Sequence, residues 1–168
     1  EDLIKEVGKD SARFMMLNRS NDVELDFDFE KVTEKSKDNP VFYVQYAYAR
    51  INSIFKLLNV NLKDKIKLDN KKFTLNQYEI EILKKISEWP KCVELSSSKL
   101  EPHRIPFYLY ELVTLFHSYW NFGKDNKEFR FVSESGELNS SRTALLQGLS
   151  IVIKNGMSIL GVSTPSSM

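Results

Sequence analysis

The chain has little of what most catalytic sites are built from. It holds one cysteine, Cys92, and two histidines, His103 and His117. A single cysteine excludes an intrachain disulfide and is a poor basis for a metal set. The histidines are not spaced as helical metal ligands, and no acidic residue completes a set around them. His117, inside an aromatic run, reads as a satisfied boundary histidine. There is no glycine-rich phosphate loop and no Gly-x-Ser-x-Gly elbow. The tightest carboxylate group is Glu24, Asp26 and Asp28. Alternate spacing puts these on one side of an extended segment, as a solvated face. No apolar run approaches the roughly 18 residues of a membrane span. The start, Glu1-Asp2, has no initiator methionine and no leader-like pattern, so the chain reads as a piece of a longer one. No catalytic, cofactor or metal site is expected in it.

Charge is present but unevenly spread. Residues 1–40 carry 7 Lys/Arg against 11 Asp/Glu, and residues 41–168 carry 17 against 12, which sums to the net charge of +1. An acidic segment thus precedes a basic one, which permits contact with a polyanion without requiring it.

Hydrophobic periodicity is helical almost throughout. It predicts a helix over residues 2–18, weakened at Gly8. Residues 22–29 alternate as a strand or a docked linker, and 29–37 read as a short helix. Asn39-Pro40 marks a boundary, because the residue before proline is pushed out of the α region. Pro40 then opens a strong helix to Leu58, a favoured place for proline. A Lys-rich loop over 59–72 follows. Thr74 is expected to cap a helix to Glu88, and Pro90 to separate it from another ending near Ser97. A long aromatic helix enters through Pro102 and Pro106 and stops at Gly123, read as its terminal glycine. Residues 124–138 read as an exposed loop, and a last helix spans Ser140 to Leu160. The expected fold class is all-α, a helical bundle.

The helix from Pro40 carries the most informative pattern. Tyr43, Tyr46, Arg50 and Ser53 recur at steps of three and four and form one stripe beside the apolar face. Two readings stand side by side. Tyrosine rings and a guanidinium suit an RNA loop, where unstacked bases lie on flat side chains and arginine grips phosphate. Equally, the tyrosines can be boundary residues with wet hydroxyls and Arg50 a surface charge. Trp120, at the end of the aromatic helix, is open to the same two roles.

Particular wording then resembles a known family. Gly8-Lys9-Asp10-Ser11-Ala12-Arg13-Phe14-Met15-Met16-Leu17 is similar to the helix that follows the catalytic signature loop of bacterial-type class I arginyl-tRNA synthetases. Leu25 to Phe29, Ser36 to Pro40 and Tyr43-Val44-Gln45-Tyr46-Ala47-Tyr48-Ala49-Arg50 follow in the family's order. So do Arg142-Thr143-Ala144-Leu145-Leu146, Lys154-Asn155-Gly156 and Leu160-Gly161-Val162. The resemblance covers essentially the whole chain, though residues 59–100 match in helical character alone.

It implies an all-α anticodon-binding domain of the DALR type over residues 40–168. Before it, residues 1–39 would be a short helical linker from the end of the catalytic body, with Ser36 to Asn39 as hinge. The implied partner is an arginine tRNA, with Tyr43, Tyr46, Arg50, Trp120 and Met168 at the anticodon loop. The enzyme so implied is a cytoplasmic, monomeric arginine–tRNA ligase without membrane or DNA partners. It would use ATP with Mg at HIGH-type and KMSK-type motifs that this chain lacks, so the fragment alone would be inactive. Three positions depart from the family. Tyr48 stands where relatives often have His. Asn139-Ser140-Ser141-Arg142 keeps only the arginine of Asp-Ala-Leu-Arg, and Ser166-Ser167 replace a charged pair. A different class of function, a helical protein-interaction scaffold, would use the same exposed aromatics on a partner helix or groove.

Overall fold

A computed structural model describes residues 2–20, 32–68, 75–133 and 139–168. Among these residues the regular structure is helical, with no strand. The helices are α1 (Asp2–Val7), α2 (Lys9–Leu17), α3 (Pro40–Leu57), α4 (Gln77–Ser87), α5 (Trp89–Ser98), α6 (Arg104–Asp125) and α7 (Ser140–Leu160). One 3-10 turn, Lys127–Phe129, lies between α6 and α7.

Local chemistry explains most boundaries. The first expected helix is split at Gly8, whose φ of 82° is left-handed and breaks the turn. Asn39 caps α3. Its side chain accepts from the Phe42 amide at 3.3 Å and donates to the carbonyls of Val32 and Glu34 at 2.7 and 2.9 Å. Buried Asn39 thereby ties the preceding strip of chain to the start of α3. The short helix expected over 29–37 reduces to Val32-Thr33 among the described residues. The strand or linker expected over 22–29, and the end of the Lys-rich loop, lie outside them. So does Thr74, the expected cap of α4. The cap is Asn76, which forms a reciprocal box with Glu79. Pro90 sits in the first turn of α5, where its missing N–H costs nothing.

Two expectations fail near the end of α6. Gly123 does not stop the helix, which continues to Asp125. A Cβ there would stand 3.3 Å from the Phe129 carbonyl oxygen, so the glycine admits the returning chain rather than terminating the turn. Residues 124–133 are not simply an exposed loop, because Phe131 is buried in the core. The turn folds back and uses its apolar side chains. α7 starts on Asn139, which accepts from the Arg142 amide at 3.1 Å, and stops at left-handed Gly161, φ 66°.

Helix α6 is the axis of the bundle, packed on α3, α4, α5 and α7. Its Leu109, Leu112, Val113, Phe116 and Tyr119 are fully enclosed with Ile51, Phe55, Leu146, Leu149, Ile153 and Met157. Each such side chain contributes roughly 1.5–3 kcal/mol on burial. Phe14 of α2 enters the same core. Gln45 donates to Asp10 and to the Ser163 carbonyl at 3.1 and 3.0 Å, locking α2 and the chain end to α3. By length and composition α7 is long and apolar enough to cross a membrane, although Arg142 and Lys154 interrupt any continuous apolar run in it. Its Leu145, Leu146, Leu149, Val152, Ile153 and Met157 are instead enclosed by the other helices.

Candidate nucleic-acid interface

One side of α3 faces α6, and the two carry an aromatic ladder. Phe42 and Tyr46 stack at 5.7 Å, Tyr46 and His117 at 5.8 Å, and His117 and Tyr43 at 4.3 Å. Tyr110 closes the ladder, 5.5 Å from Tyr43. The spacing follows from helix geometry. Phe42, Tyr43, Tyr46 and Arg50 share one side of α3, and Tyr110 and His117 lie two turns apart on α6.

Arg50 sits where the ladder ends. Its Cζ is 4.4 Å from the Tyr46 ring centre and 4.5 Å from that of Trp120. It donates to the Tyr46 hydroxyl and approaches His117 Nδ1 at 3.5 Å. A guanidinium can only donate, so Nδ1 must be the unprotonated nitrogen. Nε2–H then points to the Tyr43 carbonyl at 3.4 Å. Burial, together with the nearby Arg50 charge, overrides that carbonyl and lowers the His117 pKa to about 4. A neutral ring is therefore wedged between two tyrosines. The Tyr43 hydroxyl, first through its own burial, is shifted above the ordinary tyrosine value.

Beyond Arg50 opens a cavity of about 490 Å³, whose walls include Tyr46, Arg50, Ser53, Trp120, Lys124, Arg130 and Met168. Among the described residues, no acidic side chain lines it. Ser53 donates to the Ala49 carbonyl at 3.0 Å, which leaves its oxygen free to accept. Trp120 packs on Phe131, ring centres 6.1 Å apart, and also takes Arg50 over its face. Thus four of the sequence-named residues, Tyr46, Arg50, Trp120 and Met168, meet at one cavity. Tyr43 does not line it, because its ring is spent on His117 and Tyr110.

The sequence reading missed the wall made by Lys124, Phe129 and Arg130. Its signal was the interleaving of cations with Phe129 and Phe131, hidden inside an apparently polar stretch. That wall is held by Arg142. The Arg142 guanidinium donates to the carbonyls of Glu128 and Arg130 at 2.7 and 2.8 Å, and to Glu79 Oε1 at 2.8 Å. Glu79 is 2% exposed and also accepts from the Tyr119 hydroxyl at 2.7 Å and the Asn76 amide at 2.9 Å. Burial, aided by the Glu79 carboxylate, keeps the Tyr119 hydroxyl protonated well beyond its ordinary range. The departure before Arg142 is harmless to this arrangement, since Asn139 caps α7 as aspartate would. Tyr48, the other notable departure, is buried on the core side of α3, away from the ladder.

Among the described residues no group of His, Cys, Asp and Glu is arranged to hold a metal ion. A family model described as the DALR anticodon binding domain matches residues 44–168. The arginine–tRNA ligase of Pelagibacter ubique is 57% identical over 168 residues, covering 100% of this chain and 29% of that protein. That of Rhizobium meliloti is 45% identical over 174 residues, covering 99% of this chain and 30% of its own length. This chain therefore spans about 30% of the length of such relatives. A crystal structure of an arginyl-tRNA synthetase from Campylobacter jejuni superimposes with a TM-score of 0.85 at 27% identity, covering 99% of this chain and 35% of that one. The Thermus thermophilus arginyl-tRNA synthetase shares the fold, with a TM-score of 0.74 at 22% identity, covering 99% and 27%. On its sequence and its fold, the chain belongs to the family of DALR anticodon-binding domains.

Proposed function

We propose that this chain reads the anticodon stem and loop of an arginine tRNA as part of an arginine–tRNA ligase. The observation that carries the reading is the placement of Arg50. A flat cation lies against the rings of Tyr46 and Trp120 and lines a cavity whose described walls carry no acidic side chain. A splayed base has the shape to stack on those rings, and phosphate has the charge to draw Arg50, Lys124 and Arg130. In this reading Tyr46, Arg50, Trp120 and Met168 meet the anticodon loop directly. Tyr43 holds the ladder behind them through His117. Residues 1–39 end the catalytic body and residues 40–168 are the reader. The setting is a monomeric cytoplasmic enzyme with no membrane or DNA partner.

ATP with its Mg, and arginine itself, belong to the rest of that ligase. This chain offers no phosphate-cradling glycine loop to take them. Its contribution to aminoacylation is to grip one end of the tRNA so that the other is aligned. The test is a titration of the full-length protein with arginine tRNA and with an anticodon-substituted form. Tighter binding of the native form supports base reading, and equal affinity refutes it. Binding that ignores salt would remove the phosphate contacts. Capture of a protein partner with no tRNA footprint would favour the scaffold instead.

A further inference from the structure

The Lys-rich loop and the Lys154-Asn155-Gly156 motif have no part in the cavity around Arg50. They come together elsewhere. A second hollow, of about 410 Å³, opens between α3, α7 and the loop after α3, with Lys56, Lys63 and Lys154 among its walls. Asn52, Asn61 and Ser150 add polar groups, and among the described residues no acidic side chain lines it. The three lysines come from three different segments and are exposed, and no ion pair engages them among the described residues.

The loop is built to present Lys63. The Asn61 side chain accepts from the Lys63 amide at 2.9 Å, and the Asp64 amide donates to the Asn61 carbonyl at 3.0 Å. Gln147 of α7 then donates to the carbonyls of Leu62 and Asp64 at 2.7 and 2.8 Å. The Asp64 carboxylate faces the Asn61 amide. The lysine is thus carried on a turn that α7 holds in place. Like charges gathered without acidic partners repel one another, so such a cluster is stabilised by a polyanion.

The two hollows share the last turns of α3. Ile54 and Leu57 line the first, and Phe55 and Lys56 line the second. We propose that Lys56, Lys63 and Lys154 form a second RNA contact that grips backbone phosphates next to the segment held at Arg50. This rests on the RNA-reading function proposed above. The patch adds affinity without reading sequence, because lysine meets phosphate as a point charge.

The experiment compares the full-length protein with a variant carrying Lys56→Gln, Lys63→Gln and Lys154→Gln. Both are titrated with arginine tRNA and its anticodon-substituted form over a range of salt. All three positions are exposed, and circular dichroism verifies the fold. The variant is expected to bind both tRNAs roughly tenfold or more weakly at low salt, with the preference between them unchanged. Its log–log salt slope should be shallower by about two. If the parent discriminates and the variant keeps its affinity and slope, the patch is refuted while the base-reading site stands. If the variant loses discrimination itself, the patch is not a sequence-blind grip and the assignment falls. A parent that binds neither tRNA overturns both.

Discussion

The guanidinium of Arg50 lies over the indole of Trp120, 4.5 Å from the ring centre. It fills the space where a base stacking on that indole would lie, so a bound base must displace it toward solvent or phosphate. Trp120 therefore changes neighbours on binding. In full-length protein whose other tryptophans, Trp89 among them, are replaced by phenylalanine, the Trp120 fluorescence should change when arginine tRNA is added. Trp120→Ala should lose about 1–3 kcal/mol of binding, the usual worth of one base–aromatic stack. Unaltered fluorescence at saturating tRNA would place the base elsewhere.

Arg142 reaches the site only through others. It neutralises Glu79, whose side chain is 3% exposed, and holds the turn that carries Arg130. Arg142→Ala would strand a buried carboxylate, and removing one partner of such a pair costs about 3–5 kcal/mol. The urea midpoint should fall accordingly. Arg142→Lys should recover only part of it, since lysine cannot donate along several fixed directions at once. A midpoint unchanged in the alanine variant would contradict the network.

His117 gives the fold an acid-sensitive point. Its folded pKa of about 4 lies below the ordinary value of 6.5, so between those pH values the unfolded chain binds the extra proton. Stability therefore falls as pH drops through that window, by at most about 3 kcal/mol. Urea unfolding at pH 7 and pH 4.5 should show this loss in the parent and a smaller one in His117→Gln. An equal loss in both would assign the effect to other groups.

The sequence made the helices legible because their apolar spacing is long and regular. α3 starts at the expected Asn39-Pro40 boundary, and α7 spans the expected Ser140 to Leu160. The stripe on α3 was visible as a pattern, but its partner surface was not. Nothing in local spacing shows that His117 stands between Tyr43 and Tyr46, because that contact is made across two helices. Gly123 misled for a similar reason. Its small size serves a close approach by Phe129, which reads in sequence like an ordinary helix stop. The burial of Phe131 was masked by charged neighbours, and the reach of Arg142 to Glu79 crosses from one helix to another. The family wording named Tyr46, Arg50, Trp120 and Met168 together, and these four line one cavity, whereas periodicity alone had left the stripe between two roles.

The central claim is that the cavity at Arg50 discriminates anticodon bases. The most direct measurement is the ratio of affinities for arginine tRNA and an anticodon-substituted form, compared between the parent and Arg50→Ala. The prediction is a clear preference for the native anticodon in the parent that collapses toward unity in the variant. A preference of the same size in both proteins would contradict the account.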